Sequence, residues 1–410
     1  MRDPDPITFY NKSFRNLCGQ YYRDVEKALT PRKLRIVADE NIPALEALFA
    51  DIGEIKTYPG RHITHSDLVK ADVLLVRSIT QVTAELVANT PMQFVGTATI
   101  GTDHIDEAAL KALGIGFSSA PGCNADAVVE YVLSCLLHLA AEQSFSLHEK
   151  TIGIIGVGQV GGRLASRLRA LGLSPLLSDP PRQKREEGET FVSLDELLAS
   201  SDIICCHTPL TQTGDDPTWH LLNEQTLQRI RAGSILLNAG RGPVIDQQAL
   251  LARMKGANDL TLVLDVWEHE PVVLADLAAY VRIATPHIAG YSLDGKIRGT
   301  WMLRNALANA LGFSPPLPLE HYLPVADARE LKLEAQADVL LPVRLLYDPY
   351  RDDRALRQTL LLETAEQAIA FDQLRKLYPV RREFSTLTLV VSSPVQATYL
   401  ESLGFRVALE

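Results

Sequence analysis

From Leu34 onward the chain alternates short apolar runs with helical patterns, and this alternation restricts its fold more than any other feature. Two series are separable. The first carries the strands LRIVAD, EIKTYP, VLLVRS, FVGTAT and GFSSA between Leu34 and Ala120. The second starts at Thr151 with TIGIIG, PLLSD, DIICCH, SILLNAG, TLVLDV and RIATP. Strands joined through helices run parallel, because a parallel crossover needs a long connection. Their uniformly apolar character, without alternation, predicts sheets covered by helices on both faces. The expectation is an α/β chain with two doubly wound parallel sheets. Between the series, residues 124–142 predict a long helix with Val128, Val132, Leu136 and Leu139 on one buried face. A second helix, 293–311, is long enough to cross back to the first unit.

A chain of 410 residues is too long for one core. The turn-rich stretch GFSPPLPLEHYLP (Gly312–Pro324) is the best linker. Beyond it, helical patterns over 326–337 and 355–377 precede a strand–helix–strand reading in LTLVVS, PVQATYLESLG and FRVALE, a smaller α+β domain. Residues 1–33 are polar and aperiodic, a tail that joins no core or a stretch upstream of the true start. The net charge of −10 argues against nucleic acid as a partner, and an anionic ligand then needs a locally basic pocket. Cys18, Cys123, Cys135, Cys205 and Cys206 show no metal-ligand spacing and read as reduced thiols of a cytoplasmic protein. No apolar run reaches the roughly 18 residues of a membrane span, and the N-terminus lacks the apolar core of a signal peptide.

The turn Gly156-x-Gly158-x-x-Gly161 follows TIGIIG and opens a helix, the context that lends weight to an otherwise common pattern. It allows a tight turn, close approach of backbone to a pyrophosphate, and close helix–strand packing. This is a Rossmann-type dinucleotide site. Asp179 ends the next strand, where a carboxylate suits the ribose hydroxyls of NAD and repels a 2′-phosphate. Arg182, Lys184 and Arg185 follow and soften that preference. Thr208 and Pro209 line the adenine side or the nicotinamide ribose.

Three segments in order, NAGRGPVID, LDVWEHEP and TPHIAGYS, put Arg241, Glu270 and His287 at the ends of consecutive strands. A planar guanidinium suits a carboxylate. An imidazole is the side chain that exchanges protons near neutral pH. A carboxylate that orients the imidazole raises its basicity. Glu268 and His269 are rivals to Glu270 in the same loop; Pro271 fixes the backbone after Glu270. Asp265 ends TLVLDV and is expected to face the nicotinamide.

With VGTATIGTDHID (Val95–Asp106), these motifs resemble the D-isomer-specific 2-hydroxyacid dehydrogenases over about 34–311. Within that family ADENIP, LLVRSIT, SSAPGCNA, DPPRQ and PHIAGYSLDGKIRGT are similar to a branch acting on a phosphorylated four-carbon 2-hydroxy acid in vitamin B6 synthesis. The branch carries a C-terminal dimerisation domain and begins near ADENIP, so the N-terminal extension departs from it. The resemblance implies a homodimer and NAD as cofactor. It divides the chain into 34–125 with 290–312 for substrate, 126–289 for NAD, and 319–410 for dimerisation. It assigns Arg241, Glu270 and His287 to catalysis. Ser78, Thr99 and Tyr291 would contact substrate, and Asp179, Thr208, Asp265 and Gly290 would contact NAD. For a substrate phosphate, Arg77, Lys296 and Arg298 are the candidates, with Arg351 and Arg354 of a partner subunit as outsiders. Two alternatives remain. One is another dehydrogenase of the family, such as one acting on 3-phosphoglycerate. The other is an NAD-sensing interaction protein on the same fold.

Overall fold

All strands of both series pair in parallel. The structure, a computed structural model, describes residues 33–410, so the expected tail over 1–33 lies, but for Lys33, outside the described residues. In the first sheet β1 (Leu34–Asp39), β2 (Gly53–Tyr58), β3 (Val73–Val76), β4 (Phe94–Thr97) and β5 (Gly116–Ser118) lie in the order β2-β1-β3-β4-β5. In the second, β6 (Ile152–Ile155), β7 (Leu176–Ser178), β8 (Ile203–Cys206), β9 (Ile235–Asn238), β10 (Thr261–Leu264) and β11 (Val281–Ala284) lie in the order β11-β10-β9-β8-β6-β7. Cys205 and Cys206 enter cores on opposite faces of that sheet, as neighbours on a strand must. The two long helices form as expected, at Ala125–Gln143 and Leu293–Leu311. Leu303 and Leu307 of the second return to pack on β1, β3 and β4.

The C-terminal region departs from expectation. Residues 326–337 are not helical: Glu330–Lys332 forms β12, which with β13 (Thr388–Val391) and β14 (Arg406–Leu409) makes a parallel sheet in the order β12-β13-β14. Leu331 and Leu333 alternate with Glu330, Lys332 and Glu334, a period-two pattern, and the Leu333 N–H continues the ladder to Val390 O at 2.9 Å. The single helix expected over 355–377 is two, Pro349–Thr359 and Thr364–Lys376. The first begins earlier, with Pro349 at its first position and the Asp348 carboxylate accepting from Tyr350 N–H at 3.0 Å.

This region shares its core with the second sheet. Leu237, Val263 and Ile283 belong to one apolar cluster with Leu389, Leu400 and Phe405, joined through Tyr131 and Leu136 of the Ala125–Gln143 helix. A polar seam adds direction. Buried Arg381 donates to Ala289 O at 3.0 Å and Ala127 O at 2.6 Å, its guanidinium 3.9 Å from the Tyr347 ring centroid. Arg382 grips Asp294 at 2.8 and 2.9 Å. Glu383 accepts from Ser292 Oγ at 2.9 Å and holds Arg298 at 2.7 and 3.1 Å. Arg298 is therefore committed to the fold.

Removing one partner of a buried pair strands the other charge. Glu383→Ala is expected to cost roughly 3 kcal/mol in denaturant unfolding. A loss within the about 1 kcal/mol typical of exposed pairs would contradict this role.

Candidate active site

Parallel sheets bind ligands beyond the carboxyl ends of their strands, where strand order reverses. In the second sheet the chain leaves β6 for β7 on one side and returns to β8 on the other. The glycine turn follows β6, and Thr208 follows β8. In the first sheet the same reversal lies between β1 and β3, and Arg77 and Ser78 follow β3. Arg241, beyond β9, reaches Asp103, beyond β4, at 3.4 Å. The carboxyl ends of the two sheets thus face one another.

The glycine turn is shaped for a dinucleotide. A Cβ on Gly161 would lie 2.0 Å from Gly156 O, and Gly156 has φ +83 with a Cβ position 2.8 Å from Thr208 N. At Gly158 nothing stands within 4 Å of that position, so the backbone opens toward the crevice and the helix Gln159–Ala170. Opposite, Thr208 Oγ1 and both ring nitrogens of His207 are buried without a hydrogen-bond partner. Burial pushes His207 down to about 4, so this edge holds a neutral imidazole. Asp179 caps the next short helix, accepting from Arg182 N–H at 2.9 Å and from Val157 N–H at 2.8 Å. Of the cations after it, Arg182 pairs with Glu186 at 2.8 Å and Lys184 with Asp216 at 2.8 Å, while Arg185 Nε donates to Pro181 O at 3.1 Å. These residues fit NAD, and the softening expected from Arg182 and Lys184 is offset by their acidic partners.

His287 Nδ1 meets Glu270 Oε2 at 2.7 Å, which leaves Nε2 as the free ring nitrogen. The other Glu270 oxygen accepts from Trp267 N–H at 2.8 Å. Burial alone would raise the Glu270 carboxyl. The His287 charge and hydrogen bond, the Trp267 N–H and Arg375 outweigh it and hold the group below its usual range. A depressed carboxyl stabilises the fold above its unfolded pKa, and that stability fades as pH falls through the folded value. The rival Glu268 is spoken for: it accepts from His220 at 2.6 Å and from Gln247 N–H at 3.2 Å.

Asp265, directly after β10, braces the loop after β11. It is 1 % exposed, and burial pushes its carboxyl up. Its oxygens accept from Thr285 Oγ1 at 2.6 Å, Ile288 N–H at 2.8 Å and Ala289 N–H at 3.0 Å. It fixes the loop that carries His287, whose own φ is +56. Gly290 continues this loop against Asn124, whose amide occupies the space a side chain would need.

Thr99 shares its hydroxyl with Thr97 at 2.8 Å and donates to Gly101 O at 3.0 Å. Ser78 is exposed at the crevice. The Tyr291 ring lies edge-on to Tyr378 at 5.6 Å, with Lys296 Nζ 4.3 Å and the Arg375 guanidinium 5.8 Å from its centroid. Arg351, an outsider for phosphate, engages Asp352 and the Tyr378 hydroxyl, both at 3.2 Å. Arg375, Asp103 and Gly101 escaped the sequence reading. Only GTDHID carried a local signal; Arg375 lies 88 positions from His287, with no spacing to connect them.

Comparison with known proteins agrees with this geometry. The family model for the D-isomer specific 2-hydroxyacid dehydrogenase NAD binding domain matches residues 137–289, and a domain described only as of unknown function matches 322–404. Erythronate-4-phosphate dehydrogenase of Pseudomonas fluorescens is 48% identical over 379 residues, covering 91% of this chain and 100% of its own. Its counterpart in Pseudomonas syringae is 51% identical over 358 residues, covering 86% and 94%. Among solved structures, D-lactate dehydrogenase of Aquifex aeolicus, complexed with NAD and lactic acid, superposes with a TM-score of 0.55 at 26% identity, over 68% of this chain and 96% of that one.

Gly101 gives a test of the arginine's placement. A Cβ there would lie 2.2 Å from Arg241 Nη2, the far end of a flexible side chain. Gly101→Ala is expected to displace Arg241 and raise KM at least about tenfold, one charge-assisted contact's worth, with melting unchanged. An unaltered KM would contradict the close packing.

Proposed function

The chain belongs to the erythronate-4-phosphate dehydrogenases, a branch of the D-isomer-specific 2-hydroxyacid dehydrogenases, and on that premise we propose how its residues act. It oxidises 4-phospho-D-erythronate to 3-hydroxy-2-oxo-4-phosphooxybutanoate with NAD, in the synthesis of pyridoxal 5′-phosphate. Arg241 holds the C1 carboxylate and the C2 oxygen, exchanging Asp103 for substrate. His287 Nε2 takes the C2 hydroxyl proton. Glu270 keeps Nδ1 protonated and stabilises the imidazolium that forms. NAD, when bound, would supply the acceptor for the hydride leaving C2. Gly156, Gly158 and Gly161 receive its pyrophosphate, Asp179 its adenosine ribose, and Thr208 with the Asp265-braced loop at Gly290 its nicotinamide half. Ser78, Thr99 and Tyr291 line the substrate side. The observation carrying this reading is the 2.7 Å contact between His287 and Glu270, with Arg241 at the end of the next strand of the same sheet and reaching across the crevice to Asp103 at 3.4 Å.

The same reading divides the chain into a substrate-binding part (34–125 and 290–312), an NAD-binding part (126–289) and a dimerisation part (319–410). Most of the large hydrophobic side chains left exposed lie beyond residue 316, among them Leu361 at 86 %, Leu377 at 74 % and Val380 at 72 %. A second copy of the chain covers them. Light scattering should return twice 45.1 kDa, and Leu361→Glu should shift it toward one; a wild-type monomer would contradict the assignment. The four described cysteines are all free and buried, which suits a reducing compartment such as the cytoplasm. No described helix is long and apolar enough to cross a membrane.

Loss of the base removes proton transfer without touching the glycine turn. His287→Ala is expected to lower kcat about 10²–10⁴-fold while NAD affinity, measured by fluorescence titration, holds. Near-normal turnover would remove His287 from its role.

A further inference from the structure

We propose that Arg77, Lys296 and Arg375 form the pocket for the substrate's phosphate, with Arg375 supplied by the C-terminal region. The inference rests on the reaction assigned above and names the part of the site that selects a phosphorylated acid.

The three cations come from distant parts of the chain. Arg77 follows β3 at the crevice of the first sheet, beside Ser78. Lys296 lies in the first turns of the helix Leu293–Leu311. Arg375 lies near the end of the helix Thr364–Lys376. Tyr291 gathers two of them, with Lys296 Nζ 4.3 Å and the Arg375 guanidinium 5.8 Å from its ring centroid. Tyr291 itself ends the loop that begins at His287, so the cluster adjoins the reacting end of the site. Arg375 also feels the Glu270 carboxylate, already bound by His287 and Trp267.

What marks the cluster is the lack of an ion pair: the carboxylates near Arg375, Glu270 and Asp372, are bound to His287 and Arg61. Neighbouring arginines are paired: Arg61 with Asp372 at 3.0 Å, Arg298 with Glu383 at 2.7 Å, Arg351 with Asp352 at 3.2 Å. Among the described residues, Arg77, Lys296 and Arg375 form no ion pair, and Arg375 Nε is buried without a hydrogen-bond partner. The repulsion is felt. Burial, then Arg77, then Arg375 push the Lys296 ammonium down to about 8. Three like charges drawn partly out of water oppose folding unless something offsets them. A phosphate monoester, close to a dianion at neutral pH with three acceptor oxygens, is the ligand such a cluster fits. The C1 carboxylate has its own partner in Arg241, so the two ends of the substrate are held by separate cations.

The C-terminal region then does more than pair subunits. The Arg61–Asp372 bridge spans from the loop after β2 to the helix Thr364–Lys376, and Arg375 lies one turn further along that helix. Without this helix the pocket would keep only Arg77 and Lys296.

The test compares kcat/KM for D-erythronate 4-phosphate and unphosphorylated D-erythronate in the full-length holoenzyme. For Arg375→Gln and Lys296→Met the ratio should fall about 10- to 100-fold, through KM of the phosphorylated acid, and Arg375→Lys should recover part of it. Calorimetric titration with inorganic phosphate should weaken in the same variants. Equal losses on both acids, or an unchanged ratio, would overturn the pocket. A wild-type enzyme idle on D-erythronate 4-phosphate would instead overturn the assigned reaction, and the phosphate titration would still judge the pocket.

Discussion

The hydrogen bond from His287 to Glu270 joins the ends of two adjacent strands, and the surrounding residues are arranged to hold it. An imidazole on a loop would otherwise sample many orientations. Here Glu270 sets its tautomer and direction, while Asp265 ties the following backbone through Ile288 and Ala289. Arg381, from the C-terminal region, takes the Ala289 carbonyl, so the same loop is anchored from both sides. Rigid support of this kind is what proton transfer at a fixed distance requires.

The second constraint is the facing of two sheets. Each offers its carboxyl edge at a reversal of strand order, where open parallel sheets bind their ligands. Arg241 bridges it through Asp103, a contact weak enough in an exposed setting to yield to a better anion. The C-terminal region shares an apolar core with the second sheet and pairs Arg382 and Glu383 with the helix that returns to the first. Its position against both parts of the crevice explains how a residue from a third module stands beside Tyr291.

Much of this was legible in the sequence. Uniformly apolar strands at regular spacing announced two parallel sheets, and the order of NAGRGPVID, LDVWEHEP and TPHIAGYS placed Arg241, Glu270 and His287 on neighbouring strand ends. Two kinds of feature were not legible. Local ones failed where patterns were short: Leu331 and Leu333 fit a strand or a helix turn until β13 supplied a partner. Long-range ones failed because no spacing encodes them. Pro271 and the motif favoured Glu270 over Glu268 as the partner of His287, as found, but nothing in the sequence showed that His220 would take Glu268. Arg298 sat with Lys296 on the same helix start, yet Glu383 claimed it, while Arg375 came from outside the motif altogether.

The most direct test is initial-rate NADH formation by the purified chain with D-erythronate 4-phosphate, 3-phosphoglycerate and D-lactate side by side, with a 2-oxo acid added in parallel to reoxidise retained cofactor. The account predicts strong preference for D-erythronate 4-phosphate. Preference for 3-phosphoglycerate, or silence with all three acids despite bound NAD, would contradict it.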